Sequence, residues 1–160
     1  MFADPALLTL LVAAPVALAT VYFDLRYMEI PNWLTGGAAV IFTVLVFATL
    51  PQSDALWRVA GAAIVFVICV ALFFLRQMGG GDAKSAPGFA LLVAPPDVAV
   101  VLFLLSVIAL MGLATITLLR RTRLAGGEWK MWQDKTKFPY GVALGLTALI
   151  YLSLVAFLVP

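Results

Sequence analysis

Long apolar runs, separated by short polar connections, dominate the chain. They occupy residues 5–23, 33–50, 56–76, 98–119 and 140–159. A helix of about 20 apolar residues, rising 1.5 Å per residue, crosses roughly 30 Å of hydrocarbon. The pattern therefore predicts five transmembrane helices.

A sixth and shorter run extends from Ala83 to Ala94 and contains Pro87 and Gly88. About a dozen residues favour a short, broken or partly submerged helix instead of a regular span. We therefore expect an all-α polytopic membrane protein with six transmembrane helices, of which the fourth is short, in a single domain over residues 1–160.

Composition supports a membrane protein and excludes several kinds of site. Of the 160 residues, 64% are hydrophobic and 11% are charged, against about 25% charged in soluble domains; the mean hydropathy is +1.12. Histidine is absent and Cys69 is the single cysteine. This excludes a Cys/His zinc site, a disulfide framework and a Ser-His-Asp triad. We expect no metal and no cofactor, and the net charge of +2 gives no reason to expect nucleic acid.

The basic residues lie mostly on one side of the predicted bundle. With six helices, the connections near 24–32, 77–82 and 120–139 share one side, and both termini lie on the other with 51–55 and 95–97. The basic residues on or beside the first side are Arg26, Arg76, Lys84, Arg120, Arg121, Arg123, Lys130, Lys135 and Lys137, whereas only Arg58 adjoins the second. The positive-inside rule makes the first side cytoplasmic and the termini non-cytoplasmic. The predicted location is the cytoplasmic (inner) membrane.

The longest polar connection, residues 120–139, has two interpretations. It is either a determinant of topology with Trp129 and Trp132 as interfacial anchors, or a surface that recognises anionic lipid or a charged end of a substrate. The sequence leaves both open.

Two aspartates stand at the edges of apolar runs on the predicted cytoplasmic side. Asp24 ends the first run, and Asp82 opens the short one after three glycines at 79–81. An acid near membrane depth is costly unless it is paired or functional. Pairing of Asp24 with Arg26 or Arg76, and capping of a helix by Asp82, are the structural explanations.

The functional explanation is that the two carboxyl groups meet. Two carboxyl groups in a partly dry site cannot both ionise easily, so they share a proton. Such a pair can deprotonate a water and protonate a peptide carbonyl, as in aspartic proteases. The glycines would let another helix or an extended peptide approach the acid closely.

Three motifs together resemble one family. "GGGDAK" at 79–84 matches the G-x-G-D pattern of intramembrane aspartyl proteases. "D-x-R-x-x-x-I-P-N", from Asp24 to Asn32, precedes it, and "KFPYGVALG", from Lys137 to Gly145, is similar to a proline-aromatic-glycine segment entering the last helix. In this order they resemble the type IV prepilin peptidases over nearly the whole chain.

The resemblance implies a membrane-embedded aspartic endopeptidase that removes the basic leader of prepilin or pseudopilin substrates at the cytoplasmic face. Asp24 and Asp82 would be the catalytic pair, and Gly79 and Gly81 would shape the loop of the second aspartate. Further residues could bind the substrate or shape the site, with packing or turn formation as the competing role: Lys84, Asn32, Pro139 and Tyr140. Arg76 and the basic connection 120–137 are weaker candidates for orienting the peptide.

Larger members of the family carry an N-terminal cysteine-containing segment and also N-methylate the product. The expectation here is a peptidase without that segment, similar to the branch that serves tight-adherence pili, although archaeal preflagellin peptidases share the core. Two other functions remain open. A small ion-coupled transporter would also place acids at membrane depth, and in a non-catalytic assembly subunit the acids would be replaceable.

Overall fold

A computed structural model describes residues 4–120, 129–133 and 138–158, and within them every regular element is helical. The elements in chain order are α1 (Pro5–Tyr27), α2 (Asn32–Thr49), α3 (Gln52–Phe74), α4 (Gly80–Ala90), a 3₁₀ turn (Pro95–Asp97), α5 (Val98–Arg120), α6 (Lys130–Gln133) and α7 (Tyr140–Leu158).

The five long apolar runs are confirmed as helices. In the described part of the chain, α1, α2, α3, α5 and α7 are long and apolar enough to cross a membrane. Their ends fall within four residues of those expected from hydropathy. The protein is therefore an all-α membrane protein with five candidate spans.

The short fourth helix lies earlier in the chain than expected. α4 begins at Gly80 and ends at Ala90, whereas the apolar run suggested Ala83 to Ala94. The first N–H groups of a helix need no partner inside it, so polar residues and glycines can form its first turn. After Ala90, the N–H of Leu92 bonds to Phe89 O and that of Val93 to Ala90 O, a tighter turn that ends the helix.

Four helices form a ring at the end of the bundle where α4 begins, namely α1, α2, α4 and α7. α7 packs along α1 and also contacts α4 and α5, while α4 lies against α2 and α3. A weaker contact between α1 and α2 closes the ring. α1 and α3 end at this end of the bundle, and α2, α4 and α7 begin there. We call it the site end.

Small residues allow α1 and α7 to approach closely. A Cβ added at Gly145 would lie 2.8 Å from the backbone oxygen of Ala17 and 2.7 Å from Val21 Cγ2. Ala13 and Ala17 are fully buried in the same contact region. Close packing of this kind, with glycines four apart at 141 and 145, is typical of helix pairs in membranes.

A polar network closes the opposite end of the bundle. Arg58 Nη1 donates a hydrogen bond to the backbone oxygen of Leu92 at 2.6 Å. The Tyr151 hydroxyl donates to Asp97 Oδ2 at 2.8 Å and accepts from the Ala94 N–H at 3.2 Å. This far-end network joins α3, the turns after α4, and α7.

Candidate active site

Asp24 lies in the last turn of α1 and is only 4% exposed. Its Oδ2 accepts a hydrogen bond from the backbone N–H of Val142 at 3.1 Å. Val142 is in the first turn of α7, where backbone N–H groups have no partner within the helix and the helix dipole is positive. The carboxyl group is therefore held at the N-terminus of α7.

Asp82 lies in the first turn of α4 and is 8% exposed. Its Oδ1 is buried and has no hydrogen-bond partner among the described residues. Buried oxygens of this kind are uncommon because each leaves a desolvation cost uncompensated. An acceptor is thus available inside the site.

The two carboxyl groups meet at Gly141. The backbone N–H of Gly141 interacts with both Asp24 and Asp82, and the charge of Asp82 acts on Asp24. A side chain at Gly141 would not fit, because its Cβ would lie 2.8 Å from Asp24 Oδ2. The structure therefore brings together the two acids singled out in the sequence.

The three glycines before Asp82 differ in their surroundings. A Cβ at Gly79 would lie 2.8 Å from Asp82 Oδ2, and one at Gly81 would lie 3.1 Å from the backbone nitrogen of Ile30. At Gly80 the nearest atom would be the ring edge of Phe73, at 3.3 Å. Gly79 thus leaves room for the acid, and Gly81 for the connection between α1 and α2.

The structure also joins Lys84 and Asn32. Lys84 Nζ donates to Asn32 Oδ1 at 2.9 Å, across α4 and the start of α2. Both side chains are exposed at the site end. The lysine therefore lies two residues after Asp82 with its ammonium group held by α2.

Pro139 and Tyr140 lie at the start of α7. Pro139 is fully buried, and the exposed ring of Tyr140 packs edge-on against Phe138, with ring centroids 5.1 Å apart. The two residues directly precede Gly141 and Val142, whose N–H groups contact the acids. The Tyr140 ring is thus in contact with a neighbouring aromatic residue.

Comparison with protein families shows which family the chain belongs to. The model of the type IV leader peptidase family matches residues 11–116, which include both aspartates. The chain belongs to the type IV leader peptidase family. Neither a curated protein nor a solved structure matches it significantly. Membership implies a membrane-embedded protease.

Three residues outside the predicted set lie beside the acids. The family match ends before α7, yet Gly141 and Val142 supply the backbone contacts to the acids. Gly141 is the first glycine of "KFPYGVALG", so this motif could have identified it from the sequence. Ile30, inside the "EIPN" segment, contacts both Gly81 and Gly141, and nothing in its residue type pointed to the acids.

Other charged groups at the site end are held by local contacts. Arg26 lies over the rings of Tyr22 and Tyr27. Glu29 pairs with Lys130 at 3.6 Å, and the Trp129 ring packs edge-on against Tyr22. The expectations for residues 121–128 and 134–137 lie outside the described residues.

Proposed function

We propose that the protein is an aspartic endopeptidase that removes the leader of prepilin-like substrates, with Asp24 and Asp82 as its catalytic pair. The observation that supports this most strongly is the convergence of two buried carboxyl groups on the backbone N–H of Gly141. In a family of proteases, such a pair can serve as the general acid and the general base of peptide hydrolysis.

The mechanism requires one ionised and one protonated carboxyl group. The ionised group takes a proton from a water molecule while the water oxygen attacks the peptide carbonyl carbon. The protonated group donates its proton to the carbonyl oxygen. When the tetrahedral intermediate collapses, the C–N bond breaks and the leaving amine takes a proton from a carboxyl group. The proximity of the two acids favours the singly protonated state.

The unpartnered Oδ1 of Asp82 supports a role in holding the water. A buried carboxylate oxygen without a donor among the described residues leaves a position for a water or a substrate N–H. Asp24 already accepts from Val142, so its position is fixed by the backbone of α7. Both acids thus contact the first turn of α7, and Asp82 in addition keeps one buried oxygen without a donor among the described residues.

The site is proposed to face the cytoplasm. Nine of the ten basic residues lie on or beside the connections at the site end in the six-helix arrangement, which favours that side as cytoplasmic. In this arrangement α4 and the turns after it form the sixth crossing. The basic leader of a substrate would stay in the cytoplasm while its apolar segment lies beside the bundle.

The test is cleavage of a co-expressed prepilin by Asp24→Asn and Asp82→Asn. Asparagine keeps the shape of the side chain but cannot exchange the proton, so we expect leader removal to fall at least about 100-fold in each variant. Asp54→Asn is the matched control, because Asp54 is an exposed acid in the first turn of α3 at the other end.

Asp54→Asn should cleave as the wild type does, with membrane protein levels measured for all variants. Normal cleavage by either well-expressed dyad variant would exclude the proposed pair.

A further inference from the structure

Ile30 is a buried apolar residue in the connection between α1 and α2. It is 6% exposed, whereas the preceding Glu29 is exposed. The connection has only four residues between Tyr27 and Asn32, and Met28 at its start adopts the left-handed conformation (φ 51°). This turn directs the Ile30 side chain into the bundle.

The Ile30 side chain lies beside Asp24. Its Cδ1 is 2.9 Å from the position that a Cβ would take at Gly141, and the same position is 2.8 Å from Asp24 Oδ2. The methyl group and the carboxylate oxygen are therefore separated by no more than the sum of those two distances. This places an aliphatic group next to the candidate catalytic acid.

The same residue also contacts the helix of the other acid. A Cβ at Gly81 would lie 3.1 Å from Ile30 N, 3.4 Å from its Cβ and 3.5 Å from its Cγ1. Gly81 directly precedes Asp82. Ile30 thus extends from a glycine of α4 to a glycine of α7, and each glycine adjoins one of the two carboxyl groups.

A peptide that is cleaved by this pair must bring its scissile carbonyl within about 3–3.5 Å of the attacking water. Its side chains next to that bond then pass close to Ile30, because Ile30 lies beside Asp24 and against the glycine that directly precedes Asp82. An apolar wall at this position discriminates between side chains by size, with about 10-fold or more per methylene group in hydrophobic pockets.

We propose that Ile30 is a specificity-determining residue, which forms the apolar wall of the subsite for the substrate side chain adjoining the scissile bond. The inference rests on the proposed function and adds the subsite to it.

The experiment compares Ile30→Ala with the wild type on a series of test prepilins. The purified full-length protein in lipid is given substrates with Ala, Leu or Phe on either side of the cleavage site, and kcat/KM is measured for each. Removing the wall should raise the Phe-to-Ala ratio of kcat/KM by about 10-fold or more at one of the two positions.

Leu34→Ala is the matched control, since Leu34 is a buried apolar residue in the first turn of α2. It should lower stability and leave the ratio unchanged. An unchanged ratio in Ile30→Ala, or an equal change in Leu34→Ala, would overturn the proposal. If Ile30→Ala does not fold, the same Phe-to-Ala ratio of kcat/KM is measured for Ile30→Val. A smaller shift in the same direction is then expected.

Failure of the proposed function would have a different signature. Either the wild type would cleave none of the series, or Asp82→Asn would still cleave it, whatever the ratio at position 30. Loss of all cleavage in Asp82→Asn with no effect of Ile30→Ala on the ratio would instead reject the subsite alone.

Discussion

Gly79 and Gly80 are neighbours of one residue type, yet only one of them lies against an acid. The absence of a side chain at Gly79 leaves space for Asp82 Oδ2, whereas a Cβ added at Gly80 would lie against the ring of Phe73. Phe73 is 47% exposed, so its ring can move aside at little cost. Comparing substitutions at Gly79 and Gly80 therefore distinguishes an effect on the site from a general effect of replacing glycine.

At this scale we predict that Gly79→Ala reduces leader cleavage on the order of 100-fold, because a displacement of about 1 Å at the reacting groups has that effect. Gly80→Ala should retain most of the activity. Initial cleavage rates, normalised to protein in the membrane, check both. Equal activity of the two variants would show that the space at Gly79 is not needed for Asp82.

The sequence indicated Asp24 and Asp82 because an acid at the edge of an apolar run is conspicuous. Gly141 and Val142 contribute backbone N–H groups, which every residue except proline possesses, so residue type carries little information about them. Ile30 is apolar in an apolar chain. Its proposed role in the subsite depends on distances to Gly81 and Gly141 that arise only when α4 and α7 are packed together.

At the scale of helices, hydropathy predicted the long elements well and the short one less well. A span of about 20 apolar residues has few alternatives in lipid, so α1, α2, α3, α5 and α7 follow from composition. The ends of α4 depend on tertiary contacts. Ser85 bonds back to Gly81 O, and Arg58 binds the carbonyl of Leu92 beyond its last turn.

The contact between α1 and α7 gives the prediction at this scale. Gly145→Ala should lower the free energy of unfolding by about 1–3 kcal/mol, because the added Cβ would meet the backbone of Ala17 and cannot be accommodated by a side-chain rotation. Thermal unfolding followed by circular dichroism in detergent measures the change.

Gly61→Ala is the control, since Gly61 is inside α3 and a Cβ there would have nothing within 4 Å. It should raise stability by up to about 1 kcal/mol through helix propensity. A Gly145→Ala protein as stable as Gly61→Ala would contradict close packing of α1 on α7.

At the scale of the whole molecule, connectivity places the acids at one end. α1 ends where α4 and α7 begin, so residues far apart in sequence share the site end and one side of the membrane. The proposal that this side is cytoplasmic rests on the charge distribution, because translocating basic loops is unfavourable.

We therefore predict that Gln77 is cytoplasmic and Ser53 is not. In a Cys69→Ser background, which has no other cysteine, Ser53→Cys should react with a membrane-impermeant maleimide on spheroplasts. Gln77→Cys should react only after lysis. Both positions are exposed at opposite ends of α3. The reverse pattern would place the acids outside the cytoplasm and exclude cleavage there.

The shortness of α4 has a consequence for the surrounding lipid. Its 11 residues cover about 16 Å, whereas the 23 residues of α3 cover about 34 Å. Beside α4, the remaining depth is filled by turns whose backbone groups Arg58 and Tyr151 satisfy. Six of the 11 residues of α4 are buried, and the helix packs against α2, α3 and α7. Its short length is therefore made up by groups of the protein itself and imposes little hydrophobic mismatch on the lipid around the bundle.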